Sequence, residues 1–158
     1  MFDIPAGRWE GLDGMGDELL REIRGEAEGN VLAAVVYFAT EIKVTLSGAR
    51  SGRTYRVSKT GALHVASAPG EPPAVLTGNL RNSVGYSMPA WDGLTVGAEV
   101  GPGLGQPPAD GSPDPSTTYA RRLEWGGVDR RGVRMLPRPY MEPTAIRVQP
   151  TLERLLER

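Results

Sequence analysis

A chain of 158 residues and 17.0 kDa is the length of one domain, and a net charge of −1 with a pI near 5.9 gives no global basic field to attract nucleic acid. The absence of cysteine excludes a disulfide framework, a thiolate metal site and a cysteine nucleophile. No apolar run approaches the ~18–20 residues of a membrane span and the first ten residues hold no signal-peptide core, so the composition reads as a soluble, intracellular domain, with 21 glycines and 14 prolines predicting many turns.

In chain order, residues 1–16 read as a flexible or extended arm. The first helical signal runs from Asp17 to Leu46. Leu20, Ile23, Ala27, Val31, Ala34, Phe38 and Ile42 recur at spacings of three and four and fall on one stripe. Asp17, Glu18 and Glu22 favour the positive end of the helix dipole, Ser47-Gly48 stops the helix, and Gly25 and Gly29 mark a point of weakness. Thirty helical residues span about 45 Å, against a radius of gyration of roughly 15 Å for a compact chain of this length. Such a helix either overhangs the molecule or curls against a sheet.

Two hairpins follow. Thr54 to Ser58 and Ala62 to Ala66 alternate around Lys59-Thr60-Gly61, and Val84, Tyr86 and Met88 pair with Leu94 to Val100 across Pro89 to Gly93. Between them lies the proline-rich link Ala68 to Ala74, then a short helix over 78–82 with Thr77 as its N-cap. Residues 101–116 read as a long Gly/Pro loop, Thr118 to Trp125 as a short middle helix stopped by Gly126-Gly127, and Met141 to Leu155 as a C-terminal helix kinked at Pro150. The expected fold is one α+β domain over 1–158: a long N-terminal helix, about four mostly antiparallel strands in two hairpins, a short middle helix and a C-terminal helix on one sheet face.

The residues carry little chemistry. His64 is the sole histidine, so a Ser/His/Asp triad would need Ser67 or Ser83, and no Gly-x-Ser-x-Gly elbow is present. Zinc, calcium and phosphate-loop spacings are absent: Gly101, Gly103 and Gly105 lack a Walker lysine and a following helix. The expectation is therefore a non-enzyme without metal or cofactor. Charge, however, is segregated. Residues 1–30 hold eight acidic and three basic side chains, 31–80 two and five, 81–118 four and one, and 119–158 five and nine. Copies meeting head to tail would use such blocks as complementary faces, whereas a single chain would merely solvate them. Lys43, Arg50, Arg53, Arg56 and Lys59 form a run free of acids, suited either to a DNA backbone or to a solvated hairpin edge.

Three motifs together resemble a known family. Ser51-Gly52-Arg53 leads to His64-Val-Ala-Ser-Ala-Pro69-Gly70-Glu71-Pro72-Pro73-Ala74 and into Thr77-Gly78-x-Leu80-Arg81-x-Ser83. Tyr119-Ala120-x-x-Leu123-Glu124-Trp125-Gly126 follows, and Arg138-Pro139-Tyr140-Met141-x-Pro143 opens the last helix. Over residues 17–158 the chain resembles the head-tail joining (neck or tail-completion) proteins of long-tailed bacteriophages. The resemblance implies a virion structural protein, assembled in the host cytoplasm, that forms a ring of six between the head connector and the tail tube or tail terminator. DNA transits the lumen and no membrane is involved; given such a ring, the charge of the 43–59 segment alone leads to the expectation that its cations line or rim the lumen. The motif residues are then architectural, with Thr77, Gly78 and Leu80 setting the short helix and Leu123, Trp125, Tyr140 and Met141 packing the last two helices. The alternative is a small non-specific DNA-binding module using the 43–59 hairpin.

Overall fold

A computed structural model describes residues 10–58, 60–108, 111, 113–114, 119–128 and 132–158. The architecture is α+β, as the sequence predicts. Helix α1 spans Glu10–Ser47, far longer than the expected start at Asp17, so residues 10–16 are helix rather than an arm; residues 1–9 lie outside the described part. No proline interrupts residues 6–68, and Gly25 and Gly29 lower helix propensity without breaking the run. At 1.5 Å per residue the helix is about 57 Å long.

Only its C-terminal half builds the core. Ala39, Ile42 and Leu46 pack with Leu80, Val84, Ala120, Leu123 and Tyr140, with Phe38, Val100, Tyr119, Met135 and Met141 around them. Each large side chain buried there contributes about 2 kcal/mol. Residues 14–26 are exposed throughout. The helical stripe is thus split: Ala34 and Ile42 are buried, whereas Leu20 and Ile23 stand in solvent. By length and composition α1 also passes as a membrane span, with an 18-residue window of mean hydropathy 1.3, which corrects the expectation that no run comes near that length. The same stretch carries the core residues Ile42 and Leu46.

The strands occur as four antiparallel pairs rather than two hairpins. β1 (Thr54–Arg56) pairs with β2 (Leu63–Val65), and α2 (Asn79–Ser83) runs straight into β3 (Val84–Tyr86). β3 pairs with β6 (Val100–Pro102), and nested within them β4 (Ala90–Asp92) pairs with β5 (Thr95–Gly97). The registers Tyr86↔Val100 and Ala90↔Gly97 leave residues 87–89 opposite 98–99, a bulge that seats Pro89 where no ladder N–H is required. The turn therefore falls at Gly93-Leu94, at the far end of the expected Pro89–Gly93 connection and tighter than it, with Gly93 at φ 64 as a tight two-residue hairpin demands. Residues 103–106 are not free loop: the amides of Gly103 and Gly105 donate to Ser83 O (2.9 and 2.8 Å) and Gln106 N to Asn82 O (2.9 Å).

Helix α3 (Ala120–Trp125) and the short pair β7 (Gly127–Val128) and β8 (Arg134–Met135) precede α4 (Glu142–Leu156). The expected Thr118 cap lies outside the described residues. α4 passes through Pro150 as one helix and packs on α1, not on a sheet face. Thr144 shares a 2.8 Å hydrogen bond with Thr45, Arg147 pairs with Glu41 at 2.7 Å, and Val148 is buried between them.

Candidate interaction surface

The three sequence motifs turn out to be joints around the C-terminal end of α1. Its last carbonyls lack intrahelical partners, and Arg50 supplies them. The guanidinium donates to Thr45 O (2.8 Å), Leu46 O (3.0 Å), Gly48 O (2.7 Å) and Ala49 O (2.9 Å), and reaches Pro73 O at 3.1 Å. Glu71 fixes the other end of the proline link, accepting from Ser51 Oγ (2.5 Å), Ser51 N (3.1 Å) and Ala68 N (2.9 Å). Those hydrogen bonds, the Ser51 hydroxyl foremost and the Arg50 charge least, hold its carboxyl at about 2. Partial burial pushes the Arg50 guanidinium below its ordinary value, and the charge of Glu71 opposes that shift. Pro69-Gly70-Glu71-Pro72-Pro73 is thus a rigid strap whose two anchors are a side-chain carboxylate and a backbone carbonyl. Gly78 caps α2 at φ 82, and the Thr77 hydroxyl accepts from Asn79 N at 3.3 Å from just outside the helix.

The second and third motifs meet at Glu124. This carboxylate is 7% exposed and accepts from the amides of Tyr140 (2.9 Å), Met141 (3.1 Å) and Glu142 (2.9 Å), the N-terminus of α4. Arg138 N donates to Leu123 O at 2.6 Å, and Gly126, at φ 72, turns the chain where a Cβ would press on Met135 O. Burial and the neighbouring Glu124 charge raise the Tyr140 hydroxyl above its ordinary range. Trp125 departs from its expected packing role: it is 68% exposed, with Arg121 stacked 5.8 Å from its ring. Leu123 and Trp125 are two residues apart, so they point to different sides of a helix and only one of them can reach the core.

What the joints hold outward is a ribbon. β1 and β2 are tied to each other at their base, where Gly52 N donates to Ala66 O at 3.0 Å and Ala66 N to Arg53 O at 3.1 Å. Tyr55 and His64 occupy one face, ring to ring at 5.3 Å and 73°, over a cavity of about 340 Å³ shared with Arg81, Leu123 and Arg138. The other face presents Thr54 opposite Val65 and Arg56 opposite Leu63, and Leu63 is 70% exposed. Of the two serines a triad with His64 would use, Ser83 Oγ donates to Leu80 O at 2.9 Å, and Ser67 Oγ is buried without a hydrogen-bond partner among the described residues. Among those residues no cluster of three metal-binding side chains occurs.

The basic run therefore divides. Arg50 is committed to helix carbonyls and is not free to face DNA. Lys43 lies half-buried on α1. Arg53 and Arg56 are exposed on the ribbon without an ion pair among the described residues, although Arg56 donates to Gly61 O at 2.7 Å. Lys59 lies outside the described residues. Sequence reasoning missed both Arg50 and Glu124 as joints. The available signal for Glu124 was α4 itself, whose N-cap position holds Met141, a residue unable to cap. Comparison with known protein families, with curated proteins and with solved structures gives no match.

Proposed function

We propose that the chain is a structural subunit of the neck of a long-tailed bacteriophage, a ring component that joins the DNA-filled head to the tail. The observation that carries the subunit part is the N-terminal half of α1. The core is complete without it, yet residues 14–26 continue as helix into solvent with Met15, Leu19, Leu20 and Ile23 exposed. Contiguous exposed apolar surface of this kind is characteristic of an interaction site. Short straps, capped joints and a projecting ribbon likewise suit a part that must keep its shape while surrounded by partners. The neck assignment rests on the resemblance of the three motifs to the head-tail joining proteins, and the way Glu71, Arg50 and Glu124 turn those motifs into joints supports reading them as architecture.

Electron microscopy of a lysate made without this gene tests the proposal. Separate DNA-filled heads and finished tails are expected, and intact infectious particles would overturn it. The exposed Arg53 and Arg56 favour a second reading, a non-specific DNA-binding module. Salt-sensitive retention of duplex DNA by the purified protein, lost in an Arg53→Ala/Arg56→Ala variant, would support that module, and no retention at low salt would remove it.

A further inference from the structure

The two unpartnered surfaces of the molecule match each other. On α1, at about 100° per residue, Met15, Leu19 and Ile23 make one apolar row, and Glu18, Glu22 and Glu26 run beside it, each three residues on from an apolar neighbour. All six are exposed. Among the described residues, the element that leans on this half of the helix does so on the opposite side: Trp91 of the β4–β5 hairpin donates to Glu28 at 2.6 Å and lies 5.4 Å from the Arg24 guanidinium. The apolar and acidic rows are left open.

The outer face of the β1–β2 ribbon has the complementary character. Leu63 and Val65 are its exposed apolar pair and Arg56 stands across from Leu63; Arg53, exposed just ahead of β1, sits at the base of the ribbon, on the Tyr55 side by strand alternation, and no Asp or Glu occurs between Glu41 and Glu71. A two-stranded ribbon gains little stability by itself, so covering this face with a helix is favourable. Within one chain the two surfaces cannot meet. The ribbon follows the C-terminal end of α1 and the acidic row lies near its start, separated along a continuous helix by about 36 Å from Ile23 to Ser47.

We infer that the N-terminal half of α1 docks on the outer face of the β1–β2 ribbon of a second copy of this chain, Leu19 and Ile23 against Leu63 and Val65, with Glu18, Glu22 and Glu26 facing Arg53 and Arg56. The contact is heterologous: each copy offers its helix to one neighbour and its ribbon to another, so it propagates to a ring when the rotation closes and to a filament when it does not. It deepens the subunit reading above and assigns Arg53 and Arg56 to protein rather than to DNA.

Because the chain has no cysteine, a pair of introduced ones reports the contact directly. The full-length double variant Leu19→Cys/Leu63→Cys, oxidised at high protein concentration, should give a ladder of disulfide-linked multimers, whereas either single variant stops at a dimer. A control pair, Leu19→Cys/Leu94→Cys, uses the fully exposed β4–β5 turn and should give no ladder. Charge supplies an independent test by sedimentation. Glu18→Lys/Glu22→Lys or Arg53→Glu/Arg56→Glu should weaken self-association roughly tenfold or more, and combining the two reversals should restore it. These positions are exposed, so circular dichroism should show all variants folded. A ladder equal to that of the control pair, or reversals that do not rescue each other, would overturn the inference. Duplex DNA binding abolished by the arginine reversals would overturn it too. None of these outcomes bears on the lysate experiment, so this contact and the neck assignment fail separately.

Discussion

Replacing Glu124 by alanine should be the most costly single change on the surface of the core. The carboxylate accepts three backbone N–H groups of Tyr140, Met141 and Glu142 at 2.9 to 3.1 Å, in a site where Tyr140 is 1% exposed and Met141 half-buried. Hydrogen bonds to a charged acceptor contribute about 1.5–3 kcal/mol each when buried. Glu142 is exposed, so water can replace its bond, and the loss is carried mainly by the other two. That places the destabilisation at about 3–5 kcal/mol. For a domain of this size one kcal/mol moves the melting temperature by roughly 2–4 °C, so Tm should fall by about 6–20 °C. Glu124→Gln retains one acceptor oxygen and should lose less. The assay is chemical denaturation of the two variants beside wild type, with urea m-values unchanged. A loss under about 1 kcal/mol for the alanine variant would mean that solvent satisfies these amides and that α4 needs no clasp.

Acid should loosen the strap. With the Glu71 carboxyl held at about 2 in the folded chain, below its unfolded range near 4.3, its contribution is complete above about pH 5 and fades as pH falls toward 2; the stability difference between wild type and Glu71→Gln should therefore shrink over that window, and a constant difference would refute the linkage. Gly85→Ala should destabilise by about 3 kcal/mol, because its Cβ would collide with the Leu104 carbonyl, and deleting residues 103–106 should do similar harm by removing their three backbone bonds to Asn82 and Ser83; normal thermal unfolding of either variant would contradict the packing. Gly25→Ala and Gly29→Ala have open space around the new methyl and should each favour the helix by about 0.5–1 kcal/mol, seen as greater amide-exchange protection near residues 20–30 rather than a large shift in global Tm; faster exchange would show that a neighbouring element needs those glycines.

Legibility followed the physics of each signal. Periodicity reveals the C-terminal half of α1 and the stripe of α4, because one chain's core covers those faces, and α3 is legible from its Gly126-Gly127 stop. The same periodicity ran on through Leu20 and Ile23, where it gives an amphipathic helix but not the identity of what covers it. The start of α1 was placed too late because Asp17 looks like a beginning, while nothing in residues 10–16 is a strong stop. The second hairpin is visible as alternation, and its expected Pro89–Gly93 connection contains the turn pair Asp92-Gly93; the fold tightens the turn to Gly93-Leu94 and accommodates Pro89 in a bulge. β7 and β8 are two residues each and too short for any alternation to register.

Charged residues were the least legible, since composition records a charge but not its task. Arg50 belongs to the same run as Arg53 and Arg56, and only geometry separates a guanidinium holding five carbonyls from two that stand in solvent. Glu71 and Glu124 are likewise two acids among many until their hydrogen bonds are seen. Once these three are removed as internal joints, what is left over is sharper than the original segregation: an acidic row beside an apolar one at the start of α1, and an acid-free basic ribbon just past its end. Internal needs explain neither surface. A continuous helix keeps them apart in one chain, and on that separation rests the contact proposed above between two copies.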